Sequence, residues 1–377
     1  MVRGPLRALF PLLAVLLLAC GSGCARPSDG TAPPDGAERA VRAAVSAWSA
    51  RPPAALAAVP LEGWSYEVTS VRRDGARATA AAELRYRLTG YDSAPAGSAR
   101  SLTLSEDAGG WHVTGDRPAP GALPQLWDQG PVSVVRGERA LVLGGRGRSR
   151  ESLEEIAVVA GRAVPAVDAA WPRPWAGRLV VVVPADVEAM AALLGRPADA
   201  YRGLAAVTNG LVGVDPAPAD RVVVNPQAYE GLSELGRQVV ITHESTHVAT
   251  RSATTASTPL WLSEGFADWA AYRSTGRTPA QAAPTLRRAV GRGELPSALP
   301  PNEAFTFGGD AQAMARAYEG AWLACRLIAD RWGEAALVRL YVEVGQNPLS
   351  TALRSTLDTD LPNLTQTWQS TLREELR

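Results

Sequence analysis

The sequence predicts an α+β protein in two parts: a small domain of one helix on an antiparallel sheet, then a larger domain with a mixed sheet and a helical C-terminal part. Three observations carry that reading. Between residues 64 and 114 apolar residues alternate, as they do in strands buried on one face. From Leu179 to Val183 the chain is a continuous β-branched run, which suits a strand buried on both faces. Beyond residue 310 the apolar residues fall at helical spacing only.

The chain has 377 residues, long enough for two domains, and its net charge is zero. Without a basic stripe, a nucleic-acid partner has no electrostatic support. Every basic side chain is Arg, and with the Ala, Gly and Pro load this resembles the usage of a high-GC, actinobacterial-type proteome. Three cysteines, Cys20, Cys24 and Cys325, make no disulfide framework, and Cys325 in its apolar helical stretch reads as an inert buried thiol.

Arg3 and Arg7 followed by the apolar run Leu9–Ala19 read as an export signal too short to span a bilayer. Its end, Leu17-Leu18-Ala19-Cys20, resembles a bacterial lipobox, which implies cleavage before Cys20 and lipidation of its thiol. The expected location is the outer side of the cytoplasmic membrane, held by a lipid anchor. Residues 21–36, rich in Gly, Ser, Pro and Asp, read as a flexible tether.

Residues 37–50 read as a helix ended by Arg51-Pro52-Pro53. Trp64, Tyr66 and Val68 begin a strand, Asp74-Gly75 makes a turn, and Ala76–Tyr91 alternates throughout. Its apolar face is Ala78, Ala80, Ala82, Leu84, Tyr86 and Leu88. Shorter strands follow near 102–104 and 111–114, the last carrying His112 in a structural role. This domain, 37–116, resembles a reduced nuclear transport factor 2-like unit, and it reads as a spacer more than as a binding module. Residues 117–129, with their Pro and Gly, are the expected linker. Strands at 132–135 and 139–143, a helix from Ser149 to Ala170, and strands at 179–183, 204–208 and 222–225 should follow. The later helices carry three stripes: Met314, Tyr318, Leu323 and Ile328; then Leu337, Leu340 and Val344; then Leu361, Leu364, Trp368 and Leu372. Gly333 and Gly345 are the expected stops.

The chemistry sits in His243-Glu244-Ser245-Thr246-His247, which holds two of the three histidines of the chain. At i and i+4 on a helix both imidazoles share a face and can reach one metal ion. A hydrolytic zinc site needs a third protein ligand. The run Pro259-Leu260-Trp261-Leu262-Ser263-Glu264-Gly265-Phe266-Ala267-Asp268-Trp269 offers one, with Thr258 as the expected cap. Glu264 and Asp268 share a face, so one can bind metal and the other orient a ligand histidine.

H-E-x-x-H followed by W-L-S-E-G-F-A-D resembles the gluzincins, zinc metallopeptidases of the peptidase MA-like branch, distantly similar to thermolysin. The resemblance spans roughly residues 130–377, with its specific motifs confined to two helices. It implies a thermolysin-like zincin domain in which His243, His247 and Glu264 bind one Zn²⁺, Glu244 is the general base and Asp268 supports a ligand. Tyr318 falls where related enzymes often keep a tyrosine that steadies the oxyanion, with Tyr229 and Tyr272 as weaker candidates. The strand 204–208 would be the edge that pairs with an extended substrate. Two departures stand out: the interval 248–263 is a few residues short, and the G-x-M-E-N motif of aminopeptidases is absent. The implied activity is therefore endopeptidase cleavage of peptide or protein substrates by a monomer. The alternative is a non-catalytic envelope lipoprotein with structural zinc.

Overall fold

A computed structural model describes residues 36–211, 216–306 and 310–377. The expected export signal, Cys20 and the expected tether up to residue 35 fall outside them, and Gly36 opens the first helix. Helix α1 (Gly36–Trp48) lies on a four-stranded antiparallel sheet of β1 (Leu61–Asp74), β2 (Arg77–Leu88), β3 (Ala96–Asp107) and β4 (Gly110–Pro118), in chain order. The alternation in β2 does what the pattern requires: Ala78, Ala80, Ala82, Leu84 and Tyr86 meet Val41 and Val45 of α1 in one core. Strands β3 and β4 outrun the short segments expected at 102–104 and 111–114, because pairing with the long β2 extends them. His112 is half exposed on β4, bonded to Ser105.

The expected linker is not a loose segment. Residues 126–129 form a short 3₁₀ turn, and Asp128 accepts a two-pronged bond from the buried Arg100 of β3 at 2.7 and 2.8 Å.

The second sheet contains β5 (Ser133–Arg136), β6 (Ala140–Gly144), β7 (Leu179–Val183), β8 (Ala206–Asn209) and β9 (Arg221–Val224) in the spatial order β5-β6-β7-β9-β8. The central three strands are parallel, and both edges are antiparallel to their neighbours. Both faces of β7 are buried, as its β-branched run requires. The last two strands shift slightly from the expected 204–208 and 222–225. Asn225 is not in the sheet, since its side chain caps the short helix that follows. Helix α2 (Arg150–Ala170), capped by Ser149, packs on one face with the later helices. Helix α3 (Val187–Leu194) and the small domain cover the other face.

The two parts are joined by a buried ion pair as well as by apolar contact. Asp92, just after β2, accepts from Arg221 of β9 at 2.9 and 3.0 Å and from the backbone N–H groups of Leu88 and Ala219. Removing the carboxylate strands a partly buried guanidinium and two N–H groups. Asp92→Ala should therefore destabilise the protein by about 3–5 kcal/mol, read as a lowered denaturant midpoint.

The C-terminal part is helical. After α4 (Pro226–Glu230) come α5 (Glu234–Thr250), α6 (Leu260–Tyr272), α7 (Pro279–Ala282), α8 (Pro284–Gly291), α9 (Ala311–Trp332), α10 (Glu334–Gln346), α11 (Leu349–Leu357) and α12 (Leu361–Glu375). Gly333 ends α9 with φ +90°, whereas Gly345 lies inside α10. Its expected role as a stop gives way to packing, because a Cβ there would lie 2.4 Å from the Ala253 carbonyl oxygen. Leu361 is exposed and leaves the apolar stripe of α12 to Leu364, Trp368 and Leu372. Among the described residues, no helix is long and apolar enough to cross a membrane.

Candidate metal centre

Helix α5 starts at Ser233, whose hydroxyl accepts from Gly236 N–H, and it runs through the core beneath the second sheet. From Val239 to His247 every residue is buried. A helix enclosed on all sides shows no amphipathic stripe, and its polar residues must find partners inside. Ser245, Thr246 and Thr250 do so by bonding the carbonyls one turn back. The two histidines and Glu244 must look to other elements.

Helix α6 supplies them. Thr258 does not cap this helix: its hydroxyl instead accepts from Thr255 N–H, and the side chain of Asn302 satisfies Leu260 N–H at the helix start. Trp261, Leu262, Phe266 and Trp269 are buried as expected. Glu264 and Asp268 point at α5. His243 Nδ1–H donates to Asp268 Oδ1 at 2.8 Å. A carboxylate only accepts, so this bond places the proton on Nδ1 and leaves the Nε2 lone pair facing inward.

Three ligand atoms then converge. His243 Nε2 and His247 Nε2 are 2.9 Å apart, and Glu264 Oε2 lies 3.3 and 3.6 Å from them. Metal bonds of about 2.0–2.1 Å in a tetrahedral shell would hold ligand atoms about 3.3 Å apart, so the triangle is the right size. Glu264 Oε2 is buried and has no hydrogen-bond partner, although its residue is only 1% exposed. A buried carboxylate oxygen facing two imidazole nitrogens calls for a cation. These three residues form a group able to hold a metal ion.

The titration behaviour follows from the same crowding. Burial opposes the charged form of His243, yet Asp268 and Glu264 pull it up to about 10, so without a cation its Nε2 holds a proton in the place a metal would take. His247, with less carboxylate support, is driven by burial down to about 4. Burial opposes ionisation of Glu264, but the two histidines hold it at about 2. The cluster thus keeps a negative carboxylate beside imidazole nitrogens that compete for one positive charge.

Glu244 stands apart from the triangle. Its Oε2 accepts from Thr208 Oγ1 of β8 at 2.6 Å, and its Oε1 is buried with no partner. Burial pushes its carboxyl up to about 7. The Thr208 hydroxyl also lies 3.1 Å from the Glu244 carbonyl oxygen, so edge strand β8 grips the motif helix at this residue. Thr208 was not among the expected site residues. Only the alternation along β8, which turns Thr208 toward α5, could have signalled it.

Tyr318 reaches the site from α9. Its ring centroid is 6.5 Å from that of His243, and its hydroxyl is held protonated by burial and by the Glu264 carboxylate. Gly265 makes the approach possible, since a Cβ there would sit 2.3 Å from the Ala321 carbonyl oxygen and force α9 away. Neither weaker candidate bonds a ligand residue: Tyr229 packs against Arg237 in the core, and Tyr272 packs against Trp322, near enough to Asp268 to feel its charge.

A second buried knot steadies α6. Tyr341 of α10 bonds Thr254 at 2.8 Å and meets Thr250 and Ser263 at 3.3 Å, tying the end of α5 to the residue before Glu264. Cys325 is buried, and burial raises its thiol well above the ordinary range, which keeps it inert.

No family model and no curated protein matches the chain. Among solved structures, it resembles a mutant of a two-domain M1 zinc metallopeptidase crystallised with L-arginine, at 16% identity and a TM-score of 0.35. The match covers 73% of this chain and 58% of that one. A likeness this distant carries no argument, so the functional reading rests on the site itself.

Proposed function

We propose that the protein is a zinc-dependent endopeptidase of gluzincin type, tethered through Cys20 to the outer side of the cytoplasmic membrane. The observation that carries the proposal is the division of labour among buried acids. Glu264 completes a ligand triangle with His243 and His247, while Glu244 stays outside it with one oxygen free. A purely structural site has no use for that fourth group.

A bound Zn²⁺ would supply Lewis acidity and lower the pKa of a water molecule to about 7. Glu244 then acts through Oε1 as general base, taking a proton from the attacking water and returning it to the leaving amine. Thr208 fixes the Glu244 carboxylate by bonding its other oxygen. Asp268 fixes the tautomer of His243, leaving Nε2 free for the metal. Tyr318 holds a neutral hydroxyl at the edge of the cluster, suited to donate to the oxygen that gains charge. The edge of β8 is the expected track for an extended substrate backbone.

Incubating the zinc-loaded protein with an unfolded protein such as casein should release fragments, and a chelator should stop the release. Casein left intact with zinc fully bound would count against the proposal. Tyr318→Phe should leave zinc content unchanged and slow turnover about 10²–10³-fold, the usual cost of one oxyanion donor. Unchanged turnover would assign Tyr318 to the core. Asp268→Ala should weaken zinc binding about 10–100-fold, measured by competition with a chromophoric chelator.

A further inference from the structure

Between the small domain and the second sheet lies a cleft of about 440 Å³. One wall is Tyr86, Ser98 and the connection at Leu123; the other is Val182, Val223 and the stretch Asn209–Leu211, which leaves the end of β8. The volume is in the range of ligand sites, which favour domain interfaces and apolar linings with a few polar groups. Its rim carries Leu123 and Leu211, 42% and 39% exposed, while large apolar side chains are otherwise mostly buried. Inside, Ser98 is 6% exposed and its hydroxyl has no hydrogen-bond partner.

The position of the cleft is what identifies its guest. Along β8, Thr208 turns toward α5 and bonds Glu244, while Val207 and Asn209 turn to the opposite face, where the cleft opens. A peptide added to the outer edge of β8, which pairs with no other strand among the described residues, would alternate in the same way. One residue would face the Glu244 side, and its neighbours would face the cleft. At about 3.3 Å per residue, the lip at Asn209–Leu211 is one to three residues along the strand from Thr208.

We infer that this interdomain cleft is a specificity subsite for a large apolar side chain of the peptide substrate, within about three residues of the cleaved bond. It rests on the peptidase reading and adds a role for the small domain, which builds half the pocket. Leu123 and Leu211 flank the apolar side chain at the rim, and Tyr86 and Ser98 line the wall opposite β8.

The test is a positional peptide library cleaved by the zinc-loaded protein and by Ser98→Phe, which fills the cleft, and Leu211→Asp, which makes its rim polar. The wild type should prefer Leu or Phe over Gly at one position near the cleaved bond, by about 10–200-fold. Both variants should cut that ratio by at least tenfold, with zinc content and preferences at other positions retained. Leu211→Asp, on the exposed rim, keeps the test open if Ser98→Phe does not fold. An unchanged ratio in the folded variants overturns the subsite alone. No cleavage by the wild type means that the peptidase reading has failed and the subsite falls with it.

Discussion

Glu264→Ala should strip the metal from the protein. Its Oε2 is the third corner of the ligand triangle, and the two histidines that remain are too few to hold zinc at micromolar concentrations. The loss should exceed the 10–100-fold penalty typical of a supporting residue such as Asp268. Zinc per chain, measured by elemental analysis after dialysis, should fall from stoichiometric to background, and hydrolysis should vanish with it. The fold should survive, because α6 is anchored by Trp261, Phe266 and Trp269 and by the Tyr341 knot.

Glu244→Gln should do the reverse, keeping zinc and losing turnover. The amide preserves size and can still accept from Thr208, but it cannot take a proton from water. A positioned general base contributes about 10²–10⁴ in rate, so kcat should fall by at least that range while zinc stays stoichiometric. The same residue sets the sign of the pH response. A base works only when deprotonated, and burial raises Glu244 to about 7. A bound dication beside it favours the carboxylate and draws that value down. Wild-type activity should therefore rise with pH along an acid limb at or below about 7. An opposite limb, with activity falling as pH rises toward 7, would remove Glu244 from the role of base.

These two outcomes separate glutamates that look alike in composition, and the sequence already distinguishes them. His243 and His247 are legible because helical spacing forces i and i+4 onto one face. Glu264 is legible because a carboxylate in so apolar a helix needs an inward purpose. What stayed hidden depends on how distant segments meet. Thr208 becomes a partner of Glu244 only once β8 forms the edge beside α5. Asp92 and Arg221 are 129 residues apart, and nothing in either segment announces the other. The same holds for Tyr341, one more apolar residue of α10 until its hydroxyl is seen among Thr250, Thr254 and Ser263. Helix ends misled for a local reason. Thr258 and Gly345 have the right residue types for a cap and a stop, yet Asn302 and the close approach of Ala253 decide their roles. The coarse α+β order was readable, because alternation, buried β-branched runs and helical stripes each report a different burial geometry, whereas short helices such as α3, α8 and α11 were not among the expected elements.

The triangle of His243, His247 and Glu264 is proposed as a working hydrolytic centre rather than a structural one. The most direct measurement is mass spectrometry of a broad peptide library incubated with the protein as purified, after chelation, after zinc is restored, and with Glu244→Gln. New peptide ends should arise with the wild type, disappear on chelation and return with zinc, and none should form with Glu244→Gln despite full zinc occupancy. An intact library in the presence of a stoichiometrically zinc-loaded wild type would contradict this proposal, as would cleavage that persists in Glu244→Gln.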